Sequence, residues 1–266
     1  MPKTLILIPS RMSATRLPGK PLLKINNLSI ISHVFNKAKN TKLGRVVVCT
    51  EDQSILEDVI KNGGEAILTG NHHKSGTDRI FEGYQKLNIK DVDYILNVQG
   101  DEPAIDENDI ISLNNMMIET NSDIGTLGTE IKDEKIFTNK NIVKVATKEK
   151  LKNKNSSLAT SFKRKHFYKD DENVYQHIGV YAYNIKSLQI FVKLDQSQSE
   201  IENGLEQLRA LDNNLKINVT LAKSSPIGVD TKEDYLALKK NMEYKSWDEN
   251  TLSGFTRGIF AFSSVR

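Results

Sequence analysis

Four short, nearly continuous apolar runs punctuate the first half of the chain: TLILIPS at 4–10, RVVVCT at 45–50, EAILT at 65–69 and DYILNV at 93–98. Runs that do not alternate with polar residues mark strands buried on both faces. Between them the apolar spacing changes to a helical period. Ile30, Ile31, Val34, Phe35 and Ala38 share one side of 29–40. Ile55, Leu56, Val59 and Ile60 do the same in DQSILEDVIKNGG, whose glycines stop the helix. GTDRIFEGYQKL (76–87) and DENDIISLNNMMIET (106–120) complete the set, the latter with acidic residues in its first turn. This β-α-β-α order predicts an α/β fold with a mostly parallel sheet covered by helices, and ligands at the carboxyl ends of its strands.

The second half has a different rhythm. NIVKVATKEK (141–150), SLATSFKRK (157–165) and VYQHIGVYAY (174–183) read as three strands with few helices between them, which predicts antiparallel or mixed pairing. A helix over 200–213, a strand KINVTLA at 216–222 and a last helix over 231–244 follow. No repeat or low-complexity linker divides the chain, so one domain over 1–245 with a smaller mixed subdomain is expected. The stretch 246–266 has no clear period and suggests no role.

Composition adds mainly exclusions. With 38% hydrophobic and 27% charged residues in 266, this is the profile of a soluble globular protein. A formal net charge of +3 does not by itself point to nucleic acid. The single cysteine, Cys49, excludes an internal disulfide framework and sits in a buried-strand pattern that suits core packing. The longest apolar run near the start, LILIP, is too short for a signal-peptide core or a membrane span, so a cytoplasmic protein is expected.

The chemistry should lie in the loops after the buried strands. The first, PSRMSATRLPGK, holds Arg11, Arg16 and Lys20 with Ser10, Ser13 and Thr15. Its Gly-Lys pair resembles the end of a P-loop. That motif, however, needs Gly where Ala14 stands and Ser or Thr where Pro21 stands. The loop reads either as a solvated basic segment or as a cradle in which fixed cations neutralise a polyphosphate. In NVQGDEP, Asp101 follows a strand and a glycine, a good place to hold Mg²⁺ through carboxylate oxygen. Asp230, in IGVDTKED, either caps the last helix together with Thr231 or serves the same ion. HHKSGTDR offers Ser75, Gly76 and Arg79 at a helix start. Its paired histidines lack the further ligands that zinc requires. His177, Gly179, Tyr181 and Tyr183 share one strand face, either core or a sugar-binding wall. Glu206 and Arg209 have the spacing of a helix-surface ion pair.

Seven segments, IPSRMSATRLPGKPL, HKSGTDR, NVQGDEP, NIVKV, HIGVYAY, LEQLRAL and GVDTKED, occur in an order that resembles the 3-deoxy-manno-octulosonate cytidylyltransferases, or CMP-Kdo synthetases, over about residues 4–243. The resemblance implies a three-layer nucleotide-diphospho-sugar transferase fold. It also implies a reaction of CTP with Kdo giving CMP-Kdo and pyrophosphate for lipopolysaccharide, Mg²⁺ dependence and a homodimer. About 1–130 would bind CTP, about 131–220 would bind sugar and form the dimer, and about 221–245 would return a metal ligand. Pro9, Ser10, Arg11, Ser13, Lys20, Ser75, Gly76, Arg79 and Gln99 would meet CTP. Arg11, Lys20 and Asp101 would be catalytic, and Asp101 and Asp230 would hold the metal. Gln99, Lys163 or Arg164, His177, Tyr181, Glu206 and Gln207 would meet the sugar.

Three departures from the family pattern stand out. SFKRKHF replaces a Ser-Arg pair followed by Ile-Pro, Asn203 stands where a second Glu is usual, and Lys232 replaces a common Pro. Since Arg and Lys differ in how they fork a carboxylate, the first two leave open a modified Kdo or another acidic keto-sugar. A catalytically idle nucleotide binder is a third reading. It is disfavoured because Arg11, Lys20, Asp101 and Asp230 are all present.

Overall fold

A computed structural model describes residues 2–13, 16–152, 156–164, 173–225 and 228–243. Thr15, part of 161–167 and the stretch 246–266 lie outside them. The strands are β1 (Thr4–Ser10), β2 (Lys24–Ile25), β3 (Leu28–Ser29), β4 (Gly44–Thr50), β5 (Ala66–Leu68), β6 (Tyr94–Asn97), β7 (Ile124–Thr129), β8 (Lys144–Thr147), β9 (Ser156–Lys163), β10 (Val174–Asn184) and β11 (Ile217–Leu221). The helices are α1 (Ile30–Asn40), α2 (Gln53–Lys61), α3 (Gly76–Leu87), α4 (Glu107–Thr120), α5 (Lys135–Thr138), α6 (Ile185–Phe191), α7 (Gln198–Asn203) and α8 (Gln207–Asp212). A further helix, α9, covers 232–243. Among the described residues no helix is long and apolar enough to cross a membrane.

The main sheet has the order β5-β4-β1-β6-β10-β7-β11-β9-β8. Its first four strands are parallel, as their unbroken apolar runs require. β10 then enters antiparallel, placing Tyr181 opposite Asn97 at the carboxyl end of β6. The earlier part of β10 therefore projects past that edge. There it pairs with β8, which also pairs with β9, so β10, β7, β11, β9 and β8 close a circuit. The mixed half is thus a curled continuation of the sheet. One apolar layer, including Ile6, Ile8, Val48, Leu96 and Met117, fills one face, and another, including Leu5, Leu7, Val47, Ile95 and Phe162, fills the other.

Besides the short β2, β3, α5 and α6, which the sequence did not indicate, two regions differ from the sequence expectation. β7, IGTLGT, was not anticipated, because its glycines and threonines dilute the apolar run although all six residues are buried. The single helix expected over 200–213 is two short ones, broken at Gly204, whose φ of 59° is left-handed. The break also overturns the expected surface pair between Glu206 and Arg209. Arg209 turns inward and donates to Glu200 through Nε (2.8 Å) and Nη2 (2.6 Å), with its guanidinium 5.0 Å from the Phe191 ring centre. Glu206 is left at the start of α8, facing the other way.

Cys49 is fully buried, and burial pushes its thiol up to about 12. It packs under α3 at Gly83, where an added Cβ would lie 2.3 Å from Cys49 Sγ. Close approach there sets the height of α3 above the sheet. Gly83→Val should therefore lower the unfolding free energy by about 1–3 kcal/mol. Urea unfolding followed by circular dichroism reads this, and an unchanged midpoint would contradict it.

Candidate active site

A cleft of about 350 Å³ opens at the carboxyl edge of the parallel strands. Its walls are the loop after β1, the start of α3 and the turn after β6, the crevice this strand order creates. All nine residues expected to meet the nucleotide line it: Pro9, Ser10, Arg11, Ser13, Lys20, Ser75, Gly76, Arg79 and Gln99. Arg16, the third cation of the expected cradle, lines the cleft too, and His73 and Lys74 add groups that sequence reasoning had not assigned to the site. The loop after β1 is held by Asp52, which accepts a hydrogen bond from the Met12 amide (2.7 Å). It then turns at Gly19 into a 3-10 turn, Lys20–Leu22.

Several of these side chains are fixed from outside the cleft. Ser75 caps α3 by accepting from the Asp78 amide. Arg79 is buried and donates to Glu51 (2.5 Å), Thr69 (2.8 Å) and the Gly70 carbonyl (3.2 Å). It thus acts as a fixed part of the wall. His73 pairs with Glu82, which also accepts from the Gly70 amide and Lys86. Burial would raise the Glu82 carboxyl, but these donors pull it down to about 2. His72, His73 and Glu82 bring three ligand-type atoms within 4.8 Å. With Glu82 already saturated by donors, the group braces the loop before α3.

The carboxylates Asp101 and Asp230, far apart in the chain, meet at one ammonium. Lys20 Nζ donates to Asp101 Oδ2 at 2.6 Å and lies 3.6 Å from Asp230 Oδ1. Arg16 reaches Asp230 Oδ2 at 3.1 Å. Backbone and packing enforce the meeting. The Val229 amide donates to the Asp101 carbonyl (3.0 Å), and Val229 packs with Ile25, Ile30 and Leu238 in a small apolar cluster. The cap of α9 is formed by Thr231, which accepts from the Asp234 amide, and by Asp234, which accepts from the amides of Asp230 and Thr231. The Asp230 carboxylate is therefore not used as a cap. Oxygen donors from two loops beside a cation-lined cleft fit a hard divalent ion such as Mg²⁺.

A second cavity, of about 360 Å³, shares Asp230 with the first. Arg164, His177, Tyr181, Glu206 and Gln207 line it, while Gln99 stays on the nucleotide side. Lys163 does not reach this cavity; it lines an adjoining groove with Glu202 and Asp212, to which Arg164 also contributes. The His177 and Tyr181 rings lie 5.5 Å apart and Tyr181 and Tyr183 6.1 Å apart, forming an aromatic wall. A register shift in β10 between Ile178 and Tyr181 is held by Thr126, whose hydroxyl contacts His177 Nε2 (3.0 Å) and the Val180 carbonyl (2.8 Å). Glu206 Oε2 accepts from Thr77 (2.9 Å), and burial pushes this carboxyl up.

Three buried side-chain polar atoms among the described residues have no hydrogen-bond partner: Ser10 Oγ, Glu102 Oε2 and Glu206 Oε1. Each belongs to a residue lining one of these two cavities. Buried polar groups are nearly always paired, so three exceptions gathered in one place mark where a ligand is received. Glu102 was missed by sequence reasoning. The only signal was its place in the GDEP turn, where Asp101 drew the attention.

Comparisons with known proteins agree with the geometry. A cytidylyltransferase family model matches residues 5–217. A 3-deoxy-manno-octulosonate cytidylyltransferase of Thermodesulfovibrio yellowstonii is 42% identical over 252 residues, covering 89% of this chain and 97% of its own. One from Brucella ovis is 42% identical over 233 residues, covering 87% and 92%. The solved structure of a CMP:2-keto-3-deoxy-manno-octonic acid synthetase complexed with CTP is similar with a TM-score of 0.82 and 32% identity, covering 91% of this chain and 99% of that one. A UDP-glucose pyrophosphorylase (TM-score 0.69, 15% identity, covering 92% and 100%) shares the fold.

His177 yields a pH prediction. Burial, with Arg164 nearby, lowers its imidazole from 6.5 to about 3. As pH falls the unfolded chain takes up this proton first. Its stabilising contribution is therefore complete above about 6.5 and is eroded toward pH 3. NMR of the imidazole should show a neutral ring from pH 8 to about pH 4. A midpoint near 6.5 would contradict the burial.

Proposed function

This chain belongs to the 3-deoxy-manno-octulosonate cytidylyltransferase family, and we propose that it activates Kdo by transfer of CMP from CTP, releasing pyrophosphate. The observation that carries the reading is the meeting of two cavities at Asp230. One is lined by cations, the other by aromatic and acidic groups, and unpaired buried atoms sit in both. A polyphosphate suits the first. A polyhydroxylated acid suits the second, where Arg164 offers a cation for a carboxylate and Glu206 an acceptor for hydroxyls.

In the reaction the anomeric oxygen of the sugar bonds to the α-phosphorus. The bond to the bridging oxygen breaks, pyrophosphate leaves with the electron pair, and the hydroxyl proton passes to solvent. Such transfer asks little covalent work of a protein, so positioning and charge stabilisation dominate. The unpaired Ser10 hydroxyl and the start of α3 would bind phosphate oxygens. Arg11, exposed and without a hydrogen bond or ion pair among the described residues, can swing onto the phosphates. Lys20 would leave Asp101 to stabilise charge on the transferring and leaving groups, worth about 3–4 kcal/mol if it acts like one oxyanion donor. Asp101 and Asp230 would hold Mg²⁺, which when bound lowers the charge of the phosphates and makes the α-phosphorus more open to attack. Family membership also supports a homodimer and a cytoplasmic place in lipopolysaccharide synthesis.

The direct test is pyrophosphate release with CTP and Mg²⁺ over a panel of acidic sugars. Release should be fastest with Kdo; release only with a neuraminate, or with no sugar at all, would overturn the proposal. Asp101→Asn and Asp230→Asn should each lower kcat by at least about a hundredfold with the circular dichroism spectrum unchanged. Full activity in either would remove that residue from the metal site. Lys20→Ala should lower kcat by about two to three orders of magnitude and weaken CTP binding. A change in thermal stability alone would refute its phosphate role.

A further inference from the structure

Asp101 and Glu102 are neighbours in the chain yet face different compartments. Asp101 lines the nucleotide cleft and takes the Lys20 ammonium; Glu102 lines the second cavity with Arg164, His177, Tyr181 and Glu206. The turn that separates them is fixed by the Glu102 amide donating to the Gln99 carbonyl (3.3 Å) and the Ile105 amide donating to the Glu102 carbonyl (3.1 Å). The Glu102 side chain passes between two glycines. A Cβ added at Gly179 would lie 3.8 Å from Glu102 Oε1, and one at Gly228 would lie 3.9 Å from its Cγ. Its Oε2 is buried without a hydrogen-bond partner. The nearby ammonium of Lys20 is engaged by Asp101 and Asp230.

Resting on the function proposed above, we infer that Glu102 is a sugar-contacting residue whose carboxyl group hydrogen-bonds a hydroxyl of the bound acidic sugar, close to where the sugar meets the nucleotide. Burial of an unpaired polar oxygen is costly, and a ligand hydroxyl in this cavity supplies the missing partner. Glu206, whose Oε1 is also unpaired, faces the same space. Among the described residues the cavity thus sets the carboxyl groups of Glu102 and Glu206, for hydroxyls, beside a cation, Arg164, for a carboxylate. This arrangement selects a polyhydroxylated acid over a simple anion.

Steady-state kinetics of the full chain with Glu102→Ala and Glu102→Gln, together with Mn²⁺ binding in the presence of CTP followed by electron paramagnetic resonance, test the assignment. Loss of this hydrogen bond, which leaves the sugar hydroxyl buried without a partner, should raise KM for Kdo by about ten- to a hundredfold in the alanine variant. The glutamine variant, which keeps the shape and a weaker acceptor, should show a smaller rise. KM for CTP and Mn²⁺ affinity should change much less than KM for Kdo, since the Asp101 and Asp230 carboxylates are untouched. Weaker Mn²⁺ or CTP binding with an unchanged KM for Kdo would overturn the inference by moving Glu102 to the metal site. Unchanged values throughout would overturn it outright. If the alanine variant does not fold, the glutamine variant decides, with an unchanged KM for Kdo again the contrary result. Wild-type protein that fails to release pyrophosphate with Kdo removes the functional reading and this inference with it. Wild-type turnover with unaltered variants removes only this one.

Discussion

Two carboxylates brought from distant parts of a chain repel each other, and the ammonium of Lys20 makes their meeting possible. Lys20 is itself held in place, on a 3-10 turn that follows a left-handed glycine. Much of the surrounding structure serves the same convergence. Asp109 of α4 accepts from the amides of Lys223 (2.9 Å) and Ser224 (3.1 Å), directing the chain back toward the cleft. The cluster of Ile25, Ile30, Val229 and Leu238 then clamps that returning segment to the basic loop. Removing one partner from such a partly buried set leaves charge uncompensated, which costs more than the pair itself contributes.

The site follows from the topology. A parallel sheet gathers the ends of β1, β5 and β6 at one edge, and β10, inserted antiparallel, carries its aromatic face past that edge. The two cavities are therefore built by strands of opposite direction in one sheet and abut at Asp230. In the proposed reaction this junction is where an attacking hydroxyl would meet a phosphorus atom. That gives a physical reason for the unpaired buried atoms to lie here: a group that must bind a ligand cannot also be satisfied by its own protein.

Much of this was legible in the residues. β1 and α3 have the bounds that their apolar runs and helical spacing predict, because burial on both faces and a serine cap leave little ambiguity. β7 was hidden by its glycines and threonines, and the helix over 200–213 concealed a break whose meaning depends on Glu200 capturing Arg209. In the site, the motif residues gather as their order implied, but partners are a three-dimensional property. Sequence cannot show that Arg79 is committed to Glu51, that Arg164 but not Lys163 reaches the second cavity, or that Asp234 and Thr231 relieve Asp230 of capping. Nor can it show that successive acids in GDEP point into separate compartments.

The most direct measurement of the central claim is a crystal structure with CTP and Mn²⁺, read by anomalous scattering. The account predicts one strong metal peak bound by both Asp101 and Asp230, with the Lys20 ammonium moved from Asp101 onto the phosphates. A metal bound by phosphate alone, with the Lys20–Asp101 pair intact, would contradict it.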